Sequence, residues 1–206
     1  MNDKIAQLLA RIKALEDELK SALHENEAPL LYHFKGKRVE FDGEVRVAHR
    51  ASHVGLFKWF RNSHPPTVLV APVIYGLIVP LLIFDMGLFV YQAICFPVYG
   101  IEKVKRSDYI ALDRWHLGYL NFIEKFNCTY CAYANGVIAY GREIAARTEQ
   151  YWCPIKHAHK LLGTHARYER FIRYGDAEAY QQRLSEFRAA LAPDADKPDA
   201  PDDFQP

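Results

Sequence analysis

The sequence predicts a mainly α-helical, membrane-anchored protein, and three observations carry that expectation. Residues 67–100 read TVLVAPVIYGLIVPLLIFDMGLFVYQAICFPVYG and hold a single charge, Asp85. The first 26 residues place apolar side chains at alternating steps of three and four. Residues 107–192 are amphipathic at helical spacing, with few turn signals between the periodic stretches.

At the N-terminus, Ile5, Leu8, Ile12, Leu15, Leu19 and Ala22 fall on successive a and d positions of a heptad. Lys, Arg, Glu, Asp and Gln fill most places between them. Residues 1–26 therefore read as a coiled-coil-like helix, and they would carry homo-oligomerisation or docking to a membrane-complex partner. The alternative is an amphipathic helix packed on its own chain. Residues 30–50 then predict a small β-hairpin. RVEF and EVRV alternate around Asp42-Gly43, a dipeptide suited to the positive φ of a type I′ turn. In residues 52–64, Trp59 and two phenylalanines sit beside Lys58 and Arg61, the composition of a membrane-interface segment.

The apolar run is longer than one upright crossing needs, since a spanning helix takes about 20 residues at about 1.5 Å each. Pro72, Pro80 and Pro97 each remove a backbone donor and crowd the preceding turn. Two layouts fit: a long kinked span, or a re-entrant hairpin bending at Asp85, Met86 and Gly87. Lys58 and Arg61 before the run, and Lys103, Lys105 and Arg106 after it, put basic residues on both flanks. Such flanks favour a hairpin with both ends in the cytoplasm. Asp85 would cost roughly 2.5–3.5 kcal/mol at membrane depth. It reads either as a bend residue paired near the interface or as a site for an ion, a proton or a partner.

The 26 basic and 25 acidic residues nearly cancel, so bulk charge gives no ground for nucleic-acid binding. No signal-peptide pattern opens the chain, and the polar parts are expected in the cytoplasm. There, four cysteines are better suited to thiol or metal chemistry than to disulfides. The sequence contains no P-loop, dinucleotide glycine fingerprint, G-x-S-x-G or H-E-x-x-H.

The candidate chemistry lies in residues 107–192, expected as a cytoplasmic helical domain. Ser107 and Asp108 are plausible caps for a helix reaching Asn135, with further helices over 141–152, 164–174 and up to Leu191. Cys128 and Cys131 form a C-x-x-C, and Cys153 is followed by His157 and His159. Three thiolates and an imidazole suit tetrahedral zinc, and the Cys-Pro step is shared with iron–sulfur ligand runs. The expected metal ligands are thus Cys128, Cys131, Cys153 and His157, with His159, His116 and Asp113 as substitutes, for zinc or an iron–sulfur cluster.

Geometry sets a condition on that site. If residues 132–152 formed one helix, Cys131 and Cys153 would stand about 33 Å apart at about 1.5 Å per residue. Asn135-Gly136 is the break that could prevent this, as a hairpin turn or as a helix end. With a helix end there, Asp113 and His116 would meet Cys153 and His157. Cysteines can also be simple buried hydrophobes.

The expected function is a membrane-anchored, cytoplasm-facing metal protein that assembles or tethers partners and is not an enzyme. The alternatives are a redox or electron-transfer subunit, which would make it an oxidoreductase, and a metal-free structural adaptor. Residues 193–206, acidic and proline-rich, are expected to be disordered.

Overall fold

The computed structural model describes residues 3–27, 32–35, 38–62 and 64–193, and these residues are mainly helical. The expected disordered tail lies almost entirely outside them. The chain divides into two compact units, Met1–His53 and Val54–Gln205.

The first unit opens with helix α1 (Asp3–Glu27). Its apolar stripe stays open: Leu8, Ile12, Leu15, Leu19 and Leu23 are each 50–60% exposed. Strands β1 (Tyr32–Lys35) and β2 (Arg38–Phe41) pair antiparallel, with Tyr32 opposite Phe41 and Lys35 opposite Arg38. The expected turn at Asp42-Gly43 is therefore corrected. RVEF pairs with the segment before it, and Asp42 becomes the N-cap of helix α2 (Gly43–Ala51). Asp42 has extended backbone angles, and its carbonyl accepts from Arg46 N–H at 3.0 Å. Glu44 in the first turn, with His49 and Arg50 in the last, also match the helix dipole.

The second unit begins with helix α3 (Leu56–Asn62), followed by α4 (Pro65–Gly76) and α5 (Ile78–Tyr99). The break at Leu77 follows from Pro80. Proline has no N–H for the Gly76 carbonyl four residues back, and its ring crowds that carbonyl. Leu77 N–H instead bonds to Ile74 O at 3.3 Å, and the helix restarts with Leu81 N–H to Leu77 O at 3.3 Å. Val68–Tyr99 counts as a 32-residue helix long and apolar enough to cross a membrane. Where the hairpin layout put its bend, at Asp85, Met86 and Gly87, α5 instead runs on as continuous helix. Gly100, with φ +66°, closes α5 by letting Ile101 N–H reach back to Phe96 O at 2.8 Å.

Residues 101–121 return along the unit with two short 3₁₀ turns, Arg106–Asp108 and Asp113–His116, where sequence alone suggested a helix. The long helix α6 (Phe122–Trp152) starts only at Asn121, which forms a capping box with Glu124. Glu124 N–H donates to Asn121 Oδ1 at 3.0 Å, and Asn121 N–H donates to Glu124 Oε2 at 2.9 Å. After α6 the chain loops through residues 153–176 to helix α7 (Ala177–Ala189), capped by Asp176, which accepts from Ala179 N–H at 3.1 Å. A single parallel bridge, Ile155 to Ile172, pins this loop to itself.

Contacts ascend together on the two long elements, so α6 runs parallel to α4 and α5 along their length. Tyr75 meets Phe126 and Tyr130, Asp85 meets Tyr133, Gln92 meets Tyr140, and Tyr99 meets Tyr151. The main core lies between them and under the returning chain: Phe96, Ile101, Val104, Tyr140, Ile144 and Leu191. A second cluster of Tyr168, Phe171, Ile172 and Phe187 seats α7 against the loop.

Candidate functional site

Helix α6 decides the fate of the expected metal site. It is unbroken for 31 residues, and Asn135-Gly136 lies inside it. The Asn135 amide donates to Cys131 O at 2.9 Å, within the helix. Gly136 is buried because residues 109 and 110 cross it: a Cβ there would lie 2.6 Å from Tyr109 O and 2.7 Å from Ile110 Cγ1. The glycine serves close packing, not a turn. Cys131 and the C-cap Cys153 are then separated by about 33 Å of helix, and one ion cannot hold both.

The other expected ligands are also dispersed. His116 lies in a 3₁₀ turn, and its Nδ1 is 2.9 Å from the Asp113 backbone oxygen, so the two do not present a shared helix face. His157 Nδ1 lies 3.3 Å from the Tyr168 hydroxyl, on which its ring stacks. His159 is exposed. Burial, and then the Glu149 charge, push the Cys153 thiol above its ordinary range, the reverse of an activated thiolate. All four cysteines are free, and no group of three or more His, Cys, Asp or Glu among the described residues is placed to hold a metal.

The structure instead gathers polar chemistry in three places. On α5, Asp85 is gripped by Arg106 through two bonds, Nη2 to Oδ2 at 2.7 Å and Nε to Oδ1 at 3.2 Å, and it accepts from Tyr133 Oη at 2.9 Å. The lone charge of the apolar run is thus neutralised by the returning chain. Two helical turns further on, the buried Gln92 takes up both backbone groups of Val104. Its amide donates to Val104 O at 3.3 Å, and Val104 N–H donates to its Oε1 at 3.0 Å; the same amide also donates to Tyr140 Oη.

Along the outer side of α6, Glu143 binds Arg147 at 2.9 Å and Arg167 at 2.8 Å. Burial alone would raise the Glu143 carboxyl. Hydrogen bonds and charge from the two arginines outweigh that and hold it below the ordinary carboxylate range. Arg147 also donates to Glu102 O at 2.6 Å, and Arg167 to Gln150 Oε1 at 3.0 Å. Gln150 in turn donates to Phe187 O at 2.9 Å, so one network ties α6 to the returning chain, the loop and α7.

Beside it is a cleft of about 250 Å³, whose walls include Arg142, Glu149, His157, Thr164, His165 and Tyr168. The Glu149 carboxylate only accepts, so His165 Nε2–H donates to it at 2.9 Å. His165 Nδ1 is buried and has no hydrogen-bond partner. Arg142 donates to the carbonyls of Gly163 and Thr164, and Tyr168 Oη accepts from His157 N–H at 2.7 Å. Most of these bonds brace residues 153–176 against α6.

Some of this was within reach of sequence reading. Glu143 and Arg147 are spaced i, i+4, and Gln92 is a lone amide in an apolar run. Arg167 and His165 depend on the path of an irregular loop and leave no local signal. The chain matches no family model, no curated protein and no solved structure.

Proposed function

We propose that this chain is a membrane-attached assembly module, the adaptor reading and not the metal or redox reading. The second unit attaches to lipid through Val68–Tyr99, and α1 joins copies of the chain to one another. The observation that carries the reading is the one-sided solvation of the apolar helix. Its polar side chains turn toward α6 and the returning chain, where they are bonded, while residues such as Leu69, Val73, Ile83 and Val98 stand open at 68–80% exposure. Contiguous apolar surface of this extent marks an interaction site. The five open positions on α1 supply a narrower apolar seam of the kind that zips helices together. Basic residues on both flanks of the apolar helix favour a cytoplasmic position for the polar body.

The full chain tests this in two measurements. It should float with lipid vesicles and run as an oligomer in mild detergent. The double substitution Leu15→Glu with Leu19→Glu should give a monomer that still floats. An unchanged oligomeric state would remove α1 from the reading, and a chain that fails to float would remove the membrane. One equivalent of zinc or iron in the native protein, lost with Cys128→Ser and Cys153→Ser alike, would return the function to metal binding.

A further inference from the structure

We infer that Val68–Tyr99 lies flat in one leaflet of the bilayer and does not cross it. This rests on the proposed membrane attachment and specifies its geometry. Two observations carry it: the level at which the charges sit, and the single side on which the exposed apolar residues of α5 project.

The charges come first. Because α6 runs parallel to α4 and α5, the contacts report what stands beside each level of the apolar helix. Its middle is near Phe84 and Asp85. There Arg106 grips Asp85, and Gly141 of α6 meets Phe84 and Leu88, which brings Arg142 and Glu143 alongside. Arg106, Asp108 and Arg142 are all exposed. An upright crossing would draw these three exposed charges toward the centre of the hydrocarbon. Arg106 is paired with Asp85, but Asp108 and Arg142 at roughly 2.5–3.5 kcal/mol each carry a burden on the order of 5–7 kcal/mol. The returning chain, irregular from Ile101 to Asn121, would also stand at membrane depth, where lipid leaves backbone donors and acceptors without partners.

Length leaves the choice to the charges and the exposed face. With the helix broken at Leu77, α5 alone holds 22 residues and extends about 33 Å, against a hydrocarbon core of about 30 Å.

The side chains are arranged for the flat position. Val79, Ile83, Met86, Val90, Ile94 and Val98 project on one side of α5, each 46–75% exposed. Asp85, Leu88, Gln92 and Phe96 occupy the opposite side, against α6 and the returning chain. Helical wheel angles of 100° per residue put these two sets half a turn apart. The apolar half then faces acyl chains along its entire length, and every charge named above stays on the water side. Just before the rod, α3 continues the pattern, with Phe57 83% exposed between exposed Leu56 and Lys58. An aromatic next to a lysine suits the headgroup boundary.

The test uses the full chain added to preformed sealed vesicles of phosphatidylcholine and phosphatidylglycerol. Trypsin outside the vesicles reads both flanks of the native protein, at Lys58 and Arg61 and at Lys103 and Lys105. A flat helix leaves both flanks open to complete cleavage. Depth is read by quenching with doxyl lipids in Val79→Trp, Met86→Trp and Ile94→Trp, each as a difference from the native protein. These positions span about 22 Å of helix axis and are all exposed, so the fold should tolerate the changes. A flat helix gives the three probes one common depth.

A crossing helix would protect one flank and place the Met86 probe about 6 Å deeper than the Val79 probe and about 12 Å deeper than the Ile94 probe, which overturns the inference while keeping the membrane attachment. A chain that stays with the aqueous phase removes the attachment itself. One that binds vesicles with no quenching at any of the three positions attaches elsewhere, and again overturns the flat helix.

Discussion

Helices α5 and α6 lie side by side over the same stretch of the molecule and solve opposite problems. Helix α5 is apolar on nearly all sides, and its few polar groups point at α6 and the chain that returns between them. Helix α6 is amphipathic, and its charged face is tied down by Arg167, Glu102 and the loop of residues 153–176. Their difference shows what holds the second unit together. The apolar helix contributes its inner aliphatic surface, but polar bonds set the register between the two. A hydrophobic helix without Asp85 and Gln92 could slide along its partner at little cost. The directional bonds at 85 and 92 make a slide by one turn expensive.

The strongest way to break this comparison is at Gln92. Gln92→Leu keeps the side-chain volume and makes α5 more apolar, but it leaves Val104 N–H, Val104 C=O and the Tyr140 hydroxyl without their partner in a buried site. At about 1–3 kcal/mol per unsatisfied group, with partial relaxation, the loss should be about 4 kcal/mol. Thermal unfolding in mild detergent reads it directly. A change below about 1 kcal/mol would mean that apolar packing alone fixes α5 on α6.

Gly136→Ala comes next. Alanine favours helix by about 1 kcal/mol, so on an open helix this change would stabilise. Here the new methyl meets the Tyr109 carbonyl and Ile110, both parts of a backbone crossing and not flexible ends. The helix must be pushed off the returning chain, at a net cost of about 2–3 kcal/mol. Stabilisation instead would show that residues 109–110 do not rest on α6.

The same position explains how much of the molecule could be read from sequence. The helical class, the apolar run and the N-terminal amphipathic helix all follow from periodicity, which is local. Asn135-Gly136 carries the chemistry of a turn, and local reading takes it as one. Its actual cause is a chain crossing made by residues 26 and 27 positions away, which no local pattern encodes. The start of α6 was legible, because Asn121 and Glu124 spell a capping box. Ser107 and Asp108 offered a competing start, and only tertiary packing rejects it. The thiol cluster failed for the reason its own geometry set out: once the helix is continuous, C-x-x-C and Cys153 sit far apart. Spacing along the chain indicates shared chemistry only where the chain turns back. The Glu143–Arg147 pair was visible at i, i+4, whereas Arg167 reaches Glu143 through an irregular loop.

Glu143 sharpens the comparison on the α6 side through its pH dependence. Its folded pKa is depressed below the ordinary 4.5, so folding favours the ionised form. The stability it contributes is complete above the unfolded value and is lost as pH falls through the lower folded value. Acid unfolding below about pH 4 should therefore steepen through this group. Glu143→Gln should cost about 2 kcal/mol at pH 7, below the range for fully buried pairs because the carboxylate is 21% exposed. The variant should also show a flatter loss between pH 5 and pH 3. Equal pH profiles for variant and native chain would place the acid sensitivity elsewhere.

The smallest effect is expected at the glycine of α6 that packs against α5. Gly141 faces α5, and a Cβ there would meet Phe84 Cζ at 2.8 Å and Leu88 Cδ1 at 3.0 Å. These distances resemble those at Gly136, but the atoms differ in kind. Both are side-chain tips, and Phe84 is 46% exposed, so its ring has open space into which it can rotate. The gain of about 1 kcal/mol from replacing glycine in a helix then offsets the cost of moving a ring, and Gly141→Ala should change stability by less than about 0.5 kcal/mol. Together with Gly136→Ala, this separates two meanings of a close contact on one helix. A glycine against backbone is obligatory, and a glycine against movable side chains is a convenience. A loss at Gly141 as large as that at Gly136 would show that Phe84 is locked in place. The outer face of α5 would then be held by more than lipid and solvent.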